Sequence, residues 1–358
     1  MQIPLSTQKR RFHAPRRSAT GLVLVFVSAT LFILGFAGSV HATPPGQNGL
    51  ISFRRYFNDD HTNGALFTIR PDGTGENQIT FPASDELDTN QNWSPDGNQL
   101  VYQHITPTTP DQIYIVGFDG SNPHRVFSCS GDDSCLFAGD PSWSPDGQWI
   151  AFELGQGPIV NDNASDVSIW EVHPNGDGLH QVTHPVGFQQ SFDNEPQWSP
   201  DGSRLVFERD FLSAGRSGHP EIWTANSSDG GDLQRVSPPG VNGTDHPDWS
   251  PDGRWIIFRT ANDAPGSIKV YLAHPDGTGL HSILDVPAKK GRFFSYSFSP
   301  DGTQLTIGML PGCGADGRAD VFTGRFDSQE RLTGGLTHVT CTDAWESSPR
   351  WGTHPLSP

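Results

Sequence analysis

Polar side chains that could bind a cation stand just before an aromatic residue that recurs through the sequence. Three residues before each aromatic position the side chain is polar, as in Asn90, Asp140, Glu195, His246, Ser295 and Ser348. One residue before it the side chain is polar again, as in Asn92, Ser142, Gln197, Asp248, Ser297 and Arg350. Carboxylate and amide oxygens are ligands for a hard cation such as Ca²⁺. They would equally attract the basic group of a peptide.

Four further carboxylates lie a little upstream of these two rows, at Asp88, Asp193, Asp245 and Glu346. They would add negative charge to the same end of each segment. A set of His246, Asp248 and Glu195 could also bind a transition metal, since imidazole and carboxylate are common ligands of such ions. Three interpretations therefore stay open: a cation site, a site for a basic peptide group, and a polar lining that holds only water.

The elements that must position these residues are organised by a repeated pentapeptide. Trp-Ser-Pro-Asp-Gly begins at Trp93, Trp143, Trp198 and Trp249, and a copy with Phe in place of Trp begins at Phe298. A degenerate copy keeps only Pro349-Arg350-Trp351-Gly352. The copies recur about every fifty residues, which is the signature of a repeat architecture. Pro, Asp and Gly in this order form a tight turn, so the Asp is a turn residue and not an acid catalyst.

Each repeat predicts a four-stranded antiparallel meander. The aromatic strand leads through the turn to an apolar second strand, and Asp-Gly or a related pair marks the hairpin between the third and fourth. The first repeat lacks its aromatic strand, whereas the C-terminus supplies a spare one around Trp351. We therefore predict an all-β, six-bladed β-propeller in which the C-terminal strand completes blade one and closes the ring. Strand alternation would place both polar rows in the central tunnel and the aromatic residues between blades.

The repeats resemble the PD40 repeats of TolB-type six-bladed propellers, which also occur in the non-catalytic propeller of some prolyl oligopeptidase-class peptidases. The resemblance rests on the four full pentapeptides and the trailing Asp-Gly turns, and it covers roughly residues 50–352. It implies that a true TolB carries an additional N-terminal α/β domain. Here about seven residues separate the expected cleavage site from the first strand, which argues against a role in the Tol system.

Signatures of catalysis are missing from the sequence. It contains no His-Glu-x-x-His, no phosphate-binding or dinucleotide glycine motif, and no Gly-x-Ser-x-Gly nucleophile elbow. We therefore expect a non-enzymatic monomer without a required cofactor that binds a protein or peptide at the tunnel mouth, although Ca²⁺ is a possible ligand. The alternative is a metal-dependent lyase or hydrolase that acts on a saccharide at the tunnel.

The N-terminal segment predicts export. Five basic residues between Lys9 and Arg17 precede an uncharged apolar run from Gly21 to Gly38, and Val40-His41-Ala42 resembles a signal-peptidase site. We expect a signal peptide over residues 1–42, with an uncleaved anchor as the alternative, then a linker at 43–49, the propeller at 50–352 and a tail at 353–358. The mature chain is expected in the periplasm or outside the cell, without membrane insertion. A net charge of −17 argues against nucleic-acid binding.

Four cysteines, an even number in an exported chain, suggest two disulfides. Three pairings are possible among Cys129, Cys135, Cys313 and Cys341. Proximity in sequence favours Cys129–Cys135, which leaves Cys313–Cys341. Neither spacing resembles that of a zinc site.

Overall fold

A computed structural model describes residues 46–131, 134–157, 166–185, 191–213, 216–217, 220–241, 244–260, 267–287, 292–314 and 317–354. The expected signal peptide, linker residues 43–45 and tail residues 355–358 lie outside these ranges. Within the described ranges no helix is long and apolar enough to cross a membrane. All regular structure there is β-strand and turn, as the abundance of Gly and Pro indicates.

The first three blades are built from consecutive short strands. Blade one contains β1 (Ile51–Tyr56), β2 (Gly64–Ile69) and β3 (Asn77–Gln78). Blade two contains β4 (Leu87–Trp93), β5 (Gln99–Ile105), β6 (Gln112–Gly117) and β7 (His124–Ser128). Blade three contains β8 (Phe137–Trp143), β9 (Ile150–Gln156), β10 (Asp166–Val172) and β11 (His180–Gln181).

The remaining blades follow the same plan, with one small addition in blade four. Blade four contains β12 (Ser191–Trp198), β13 (Arg204–Ser213), β14 (Arg216–Ser217), β15 (Glu221–Asn226) and β16 (Gln234–Arg235). Blade five contains β17 (Thr244–Trp249), β18 (Ile256–Thr260), β19 (Ser267–Ala273) and β20 (His281–Pro287). Blade six contains β21 (Arg292–Phe298), β22 (Gln304–Leu310), β23 (Asp320–Phe326) and β24 (Leu332–His338), and β25 (Trp345–Trp351) ends the series.

The last strand completes the first blade, as the sequence predicts. β25 pairs antiparallel with β1, with Trp351 opposite Ile51 and Trp345 opposite Tyr56. Two backbone hydrogen bonds between the flanking segments, Gly49 N to Gly352 O and Gly352 N to Leu50 O, are each 2.9 Å long. Blade one therefore has the order β25-β1-β2-β3, and the two ends of the described chain close the ring.

The pentapeptide forms the same hydrogen-bonded turn in every full copy. In the first copy Ser94 Oγ donates to Asp96 Oδ1 at 2.6 Å, and the same carboxylate oxygen accepts from Asn98 N at 3.0 Å. Gly97 has a φ of 70°, in the region that strongly favours glycine. The carboxylate of the aspartate accepts hydrogen bonds from its own turn, which confirms its structural role.

The repeated aromatic residues are buried where adjacent blades meet. Trp143 packs with Val101 and Ile113 of blade two as well as Ile150 and Phe152 of its own blade. It is 5% exposed. Burial of about 150–250 Å² per side chain at about 25 cal/mol/Å² is worth roughly 4–6 kcal/mol as an upper estimate. The aromatic positions are therefore the main hydrophobic joints of the ring.

Both disulfides join the pairs that proximity favours. Cys129 bonds to Cys135, and Cys313 bonds to Cys341. The first pair is buried, whereas both cysteines of the second are exposed.

Candidate functional site

A β-bulge lies at the polar row three residues before each aromatic residue and sets the direction of its side chains. Five of its six members adopt left-handed backbone conformations with φ between 46° and 54°: Asn90, Asp140, Glu195, His246 and Ser348. The pairing of the innermost strand with its neighbour skips a step at this point in each blade, for example between Asn194 and Gln197. A non-glycine residue in this conformation costs about 1–2 kcal/mol. Because the feature recurs in five blades, it belongs to the blade architecture and not to one catalytic residue.

The bulge changes which residues face the tunnel. Simple alternation would hide the residue between the two polar rows, yet Gln91, Pro141, Pro247 and Tyr296 line the tunnel cavity together with all six members of the bulged row. The extra residue of a bulge interrupts the alternation, so three successive positions reach the axis. The cavity encloses about 50 Å³. Small-molecule sites usually measure about 300–1,000 Å³, so this space suits a few waters, an ion or the tip of one side chain.

Residues of the row directly before the aromatic residues contact one another across the tunnel. Asn92 Nδ2 donates to Gln197 Oε1 at 3.3 Å, and Ser142 Oγ donates to the same oxygen at 3.2 Å. Arg350 Nη1 lies 3.2 Å from Asp248 Oδ2. The contacts of Asn92 with Gln197 and of Arg350 with Asp248 join blades that are not neighbours, whereas Ser142 and Gln197 belong to adjacent blades. Together they narrow the tunnel on the side of the Ser-Pro-Asp-Gly turns.

Each of the four outer carboxylates has a basic partner on the adjacent strand. Asp193 accepts two hydrogen bonds from Arg209, at 2.6 and 2.8 Å, and both side chains are buried. The other three pairs are Asp245 with Arg259, Glu346 with Arg55, and Asp88 with His104. The hydrogen bond that His104 donates to Asp88 raises the pKa of His104. These outer acids are therefore already paired with basic side chains, and they leave little free charge for a ligand.

A second row of mostly polar residues, on the strands that flank the tunnel strands, was not predicted from the sequence. It lies on the second strand of each blade, directly after the apolar run, and consists of Arg54, Gln103, Glu153, Glu208, Arg259 and Gly308. Glu153 pairs with Gly139, and a Cβ added at Gly139 would lie 2.9 Å from Glu153 Oε1. The missing side chain at Gly139 makes room for the glutamate. The sequence feature that could have revealed this row is a charged residue directly after the apolar run of the second strand.

Four carboxyl groups of blades three and four form what we term the acidic sector: Asp140, Glu153, Glu195 and Glu208. Burial, reinforced by Asp140 and Asp245, raises the pKa of Glu195 to about 8. Burial raises the pKa of Asp140 to about 6 against the opposing effect of Arg350 and Arg54. Burial and neighbouring acids raise the pKa values of Glu153 and Glu208 well above the ordinary value. Within the described part of the chain neither of these two glutamates has an ion-pair partner.

His246 stands beside the acidic sector but does not neutralise it. Its Nδ1 lies 3.2 Å from Glu195 Oε1, and its backbone N donates to Glu195 Oε2 at 2.7 Å. Burial, with help from Arg259, lowers the pKa of the imidazole to about 4, so the ring is neutral near pH 7. Arg350, Arg54 and Arg259 only partly offset the sector, and among the described residues no cation forms an ion pair with Glu153 or Glu208.

Two buried oxygens in the cavity wall, Gln91 Oε1 and Ser295 Oγ, have no hydrogen-bond partner among the residues that the structure describes. Both residues line the tunnel cavity and are at least nine-tenths buried. Together with Glu195 and Asp140 they are suitable ligands for a hard cation or acceptors for an ammonium group. A His246, Asp248 and Glu195 metal centre is not preassembled, because Asp248 is engaged by Arg350. Among the described residues, the metal-ligating cluster with donors within 4.8 Å of one another lies in blade six instead.

Comparison with known proteins agrees with this architecture. The family model described as the TolB beta propeller domain, PD40, matches residues 72–286. An uncharacterised protein of Agrobacterium fabrum, Atu1656, is 28% identical over 263 residues, which is 68% of this chain and 82% of that protein. The Tol-Pal system protein TolB of Alcanivorax borkumensis is 33% identical over 85 residues, but these cover only 24% of this chain and 18% of that one. The crystal structure of TolB from Acinetobacter baumannii superposes with a TM-score of 0.61 at 18% identity, covering 85% of this chain and 66% of that chain.

Proposed function

The chain belongs to the TolB β-propeller family with PD40 repeats, and from this we propose that it is an exported, non-catalytic protein that binds a protein or peptide partner at its tunnel mouth. The observation that carries the proposal is the acidic sector. It lies away from the turn side of the tunnel, where the crossing hydrogen bonds narrow the passage. A ligand must therefore reach it from the opposite mouth.

The chemistry of the sector specifies what the partner presents. Uncancelled carboxyl groups in a partly buried site favour a cation that replaces their missing counter-charge. The cavity of about 50 Å³ admits the tip of one side chain and excludes a folded element. We therefore propose that the partner inserts the ammonium of a lysine or the guanidinium of an arginine. The rest of the partner would rest on the rim, outside the cavity.

Export is part of the proposal because two observations support it together. The N-terminal segment has the pattern of a signal peptide, and two disulfides form in the described domain. Stable disulfides are rare in reducing compartments. Recovery of the protein only from the cytosolic fraction, with free thiols, would contradict it.

Affinity capture with matched baits tests the binding proposal. We expect the wild-type propeller to retain a protein from the envelope or secreted fraction of the source organism. We expect Glu195→Gln/Glu208→Gln to lose at least tenfold of that retention, because removal of buried charge partners costs about 2–5 kcal/mol in binding. Asp60→Asn, which removes an exposed carboxylate on a surface loop, is the matched control.

The outcome is read from the difference between baits. Equal retention by the double variant, or no protein retained by the folded wild type, would contradict a partner at this tunnel. Capture that both variants share would point to a different surface of the propeller.

Cation binding is a second candidate, favoured by the unpartnered oxygens of Gln91 and Ser295. If Ca²⁺ binds the tunnel, we expect millimolar CaCl₂ to raise Tm relative to EDTA, because a ligand of the folded state alone stabilises it. Glu195→Gln should abolish the difference. Identical melts for the wild type with CaCl₂ and with EDTA would remove this candidate.

The alternative of a metal-dependent saccharide lyase or hydrolase makes a different demand. It requires a stoichiometric transition metal in the purified protein, lost on His246→Ala. The small cavity and the engagement of Asp248 by Arg350 favour the binding proposal over it. Metal analysis of wild type and variant decides between the two.

A further inference from the structure

A compact group of potential metal ligands lies at one corner of blade six, away from the tunnel. Cys313 follows β22, Asp320 begins β23, His338 ends β24 and Cys341 follows shortly after. Because these three strands are antiparallel, the end of β22, the start of β23 and the end of β24 meet at the same edge of the sheet. Residues that are up to 28 positions apart in sequence are thereby neighbours.

Asp320 is the unexplained member of this group. Its side chain is completely buried. Oδ2 accepts a hydrogen bond from the backbone N of Cys313 at 2.7 Å, but Oδ1 is buried and has no hydrogen-bond partner within the described part of the chain. A buried carboxylate oxygen without a partner is costly and calls for a ligand. His338 Nδ1 lies 3.6 Å from Oδ2, and the imidazole packs on the ring of Phe322.

The donor atoms are close enough to share one ion. The ligand atoms of Cys313, Asp320 and His338 all lie within 4.8 Å of one another. Cys341 Sγ lies next to this group because it is disulfide-bonded to Cys313 Sγ. Donors around a tetrahedral zinc lie ~3.3–3.8 Å apart, given metal–ligand distances of ~2.0–2.3 Å. Small side-chain rotations after the sulfur–sulfur bond opens would suffice to reach that spacing.

We infer that reduction of Cys313–Cys341 converts this corner into a Zn²⁺ site with two thiolates, one imidazole and one carboxylate as ligands. In the first step a dithiol reductant transfers two electrons and two protons to the disulfide, giving two thiols and the oxidised cyclic disulfide of the reductant. In the second step Zn²⁺ binds both sulfurs, and the two thiol protons leave to solvent. Thiolate, imidazole and carboxylate are established zinc ligands in four-coordinate sites.

The two disulfides of the protein differ in the way that this proposal requires. Cys313 and Cys341 are both exposed, so a reductant can reach them. Cys129 and Cys135 are each only 6% exposed, and the described residues place no comparable group of ligands around them. The protein therefore contains an internal comparison for the proposed site.

Titration of the reduced, folded protein with Co²⁺, a spectroscopic substitute for Zn²⁺, tests the inference. The protein carries Cys129→Ser/Cys135→Ser so that only the blade-six thiols are present, and a phosphine is the reductant. We expect one equivalent of Co²⁺ to give thiolate charge-transfer and tetrahedral d–d absorption that Zn²⁺ abolishes. The oxidised protein should give neither signal. His338→Ala, an exposed and structurally mild change, should weaken binding at least tenfold, as should Asp320→Asn if it folds.

Three results would overturn the inference. The first is the absence of thiolate–metal absorption in the reduced protein. The second is undiminished affinity in His338→Ala, which would mean that the thiols bind metal without the rest of the site. The third is loss of the β-sheet circular dichroism signal on reduction, because the site depends on the folded edge of blade six.

Discussion

Glu195→Gln should stabilise the protein at pH 8, although it alters a buried residue of the tunnel. Burial and neighbouring acids raise the pKa of Glu195 from 4.5 to about 8. A carboxyl group whose pKa is higher in the folded than in the unfolded chain binds an extra proton on folding between the two values. The contribution of this carboxyl group to the free energy of unfolding is therefore highest below pH 4.5 and is lost as the pH rises through 8. Glutamine keeps the neutral form at every pH and can still accept the hydrogen bond from His246 N.

We expect a gain of about 2–4 kcal/mol at pH 8, which corresponds to a Tm increase of roughly 4–10 °C for a domain of this size. The gain should shrink by about 2 kcal/mol at pH 6.5, because the wild-type carboxyl is then mostly protonated. Differential scanning calorimetry between pH 6.5 and 8.5 measures it. The pKa of His246 is lowered to about 4, so its protonation differs between the folded and unfolded chain only below this pH window. There its contribution to stability rises with pH, opposite to that of Glu195.

The control for this prediction is Asp60→Asn, whose carboxylate is exposed and should change Tm by no more than 1–2 °C at either pH. A lower Tm for Glu195→Gln at pH 8 would mean that the ionised carboxylate is stabilised by a cation. In that case the acidic sector would already have a counter-cation, which would contradict the proposal that a partner supplies one.

Arg209→Ala should destabilise the propeller strongly. Arg209 holds Asp193 through two hydrogen bonds of 2.6 and 2.8 Å, and the side chains of the two residues are 5% and 0% exposed. Removal of one member of a buried ion pair leaves a buried charge and typically costs about 3–5 kcal/mol. The guanidinium also covers the rings of Phe207 and Trp223, so packing is lost as well. Urea denaturation at pH 7 measures the change in free energy of unfolding.

An exposed ion pair provides the matched control. The side chains of Arg254 and Asp252 are 65% and 49% exposed, and Arg254→Ala should cost less than about 1 kcal/mol. The double variant Asp193→Asn/Arg209→Met should recover part of the loss, because it removes the buried charge as well as its partner. A loss below 1 kcal/mol for Arg209→Ala would show that water reaches Asp193 in the folded protein.

The blade count and the closure of the ring could be predicted from the sequence because they depend on local chemistry. Trp-Ser-Pro-Asp-Gly specifies a buried aromatic residue followed by a tight turn, and each copy marks one blade. The strand around Trp351 had no other partner than the unpaired first strand, and the structure places it beside Ile51. The boundaries of the outermost strands were less predictable. β24 extends over Leu332–His338 because pairing with β23 sustains it.

The residues of the candidate site could be predicted only in part from the sequence. The residues in front of each aromatic were identified, and the structure places Asn90, Asp140, Glu195 and His246 around one cavity. Asp88, Asp193, Asp245 and Glu346 are instead held by basic partners, and Glu153 and Glu208 were missed. Which acid is neutralised depends on the cross-strand neighbour, and the bulge shifts that neighbour by one residue.

The repeat, the turn chemistry, the buried aromatic positions and the favoured disulfide pairing were predictable from the amino-acid sequence. These follow from short-range geometry and from the periodic pattern of apolar residues. The three-dimensional packing of the strands sets which carboxyl groups near the tunnel lack an ion-pair partner among the described residues. It also sets which potential ligands meet at the corner of blade six. Cys313, Asp320 and His338 have no metal-binding spacing in sequence. They converge because antiparallel strands bring distant residues to one edge. Burial at that edge leaves Asp320 Oδ1 without a partner among the described residues.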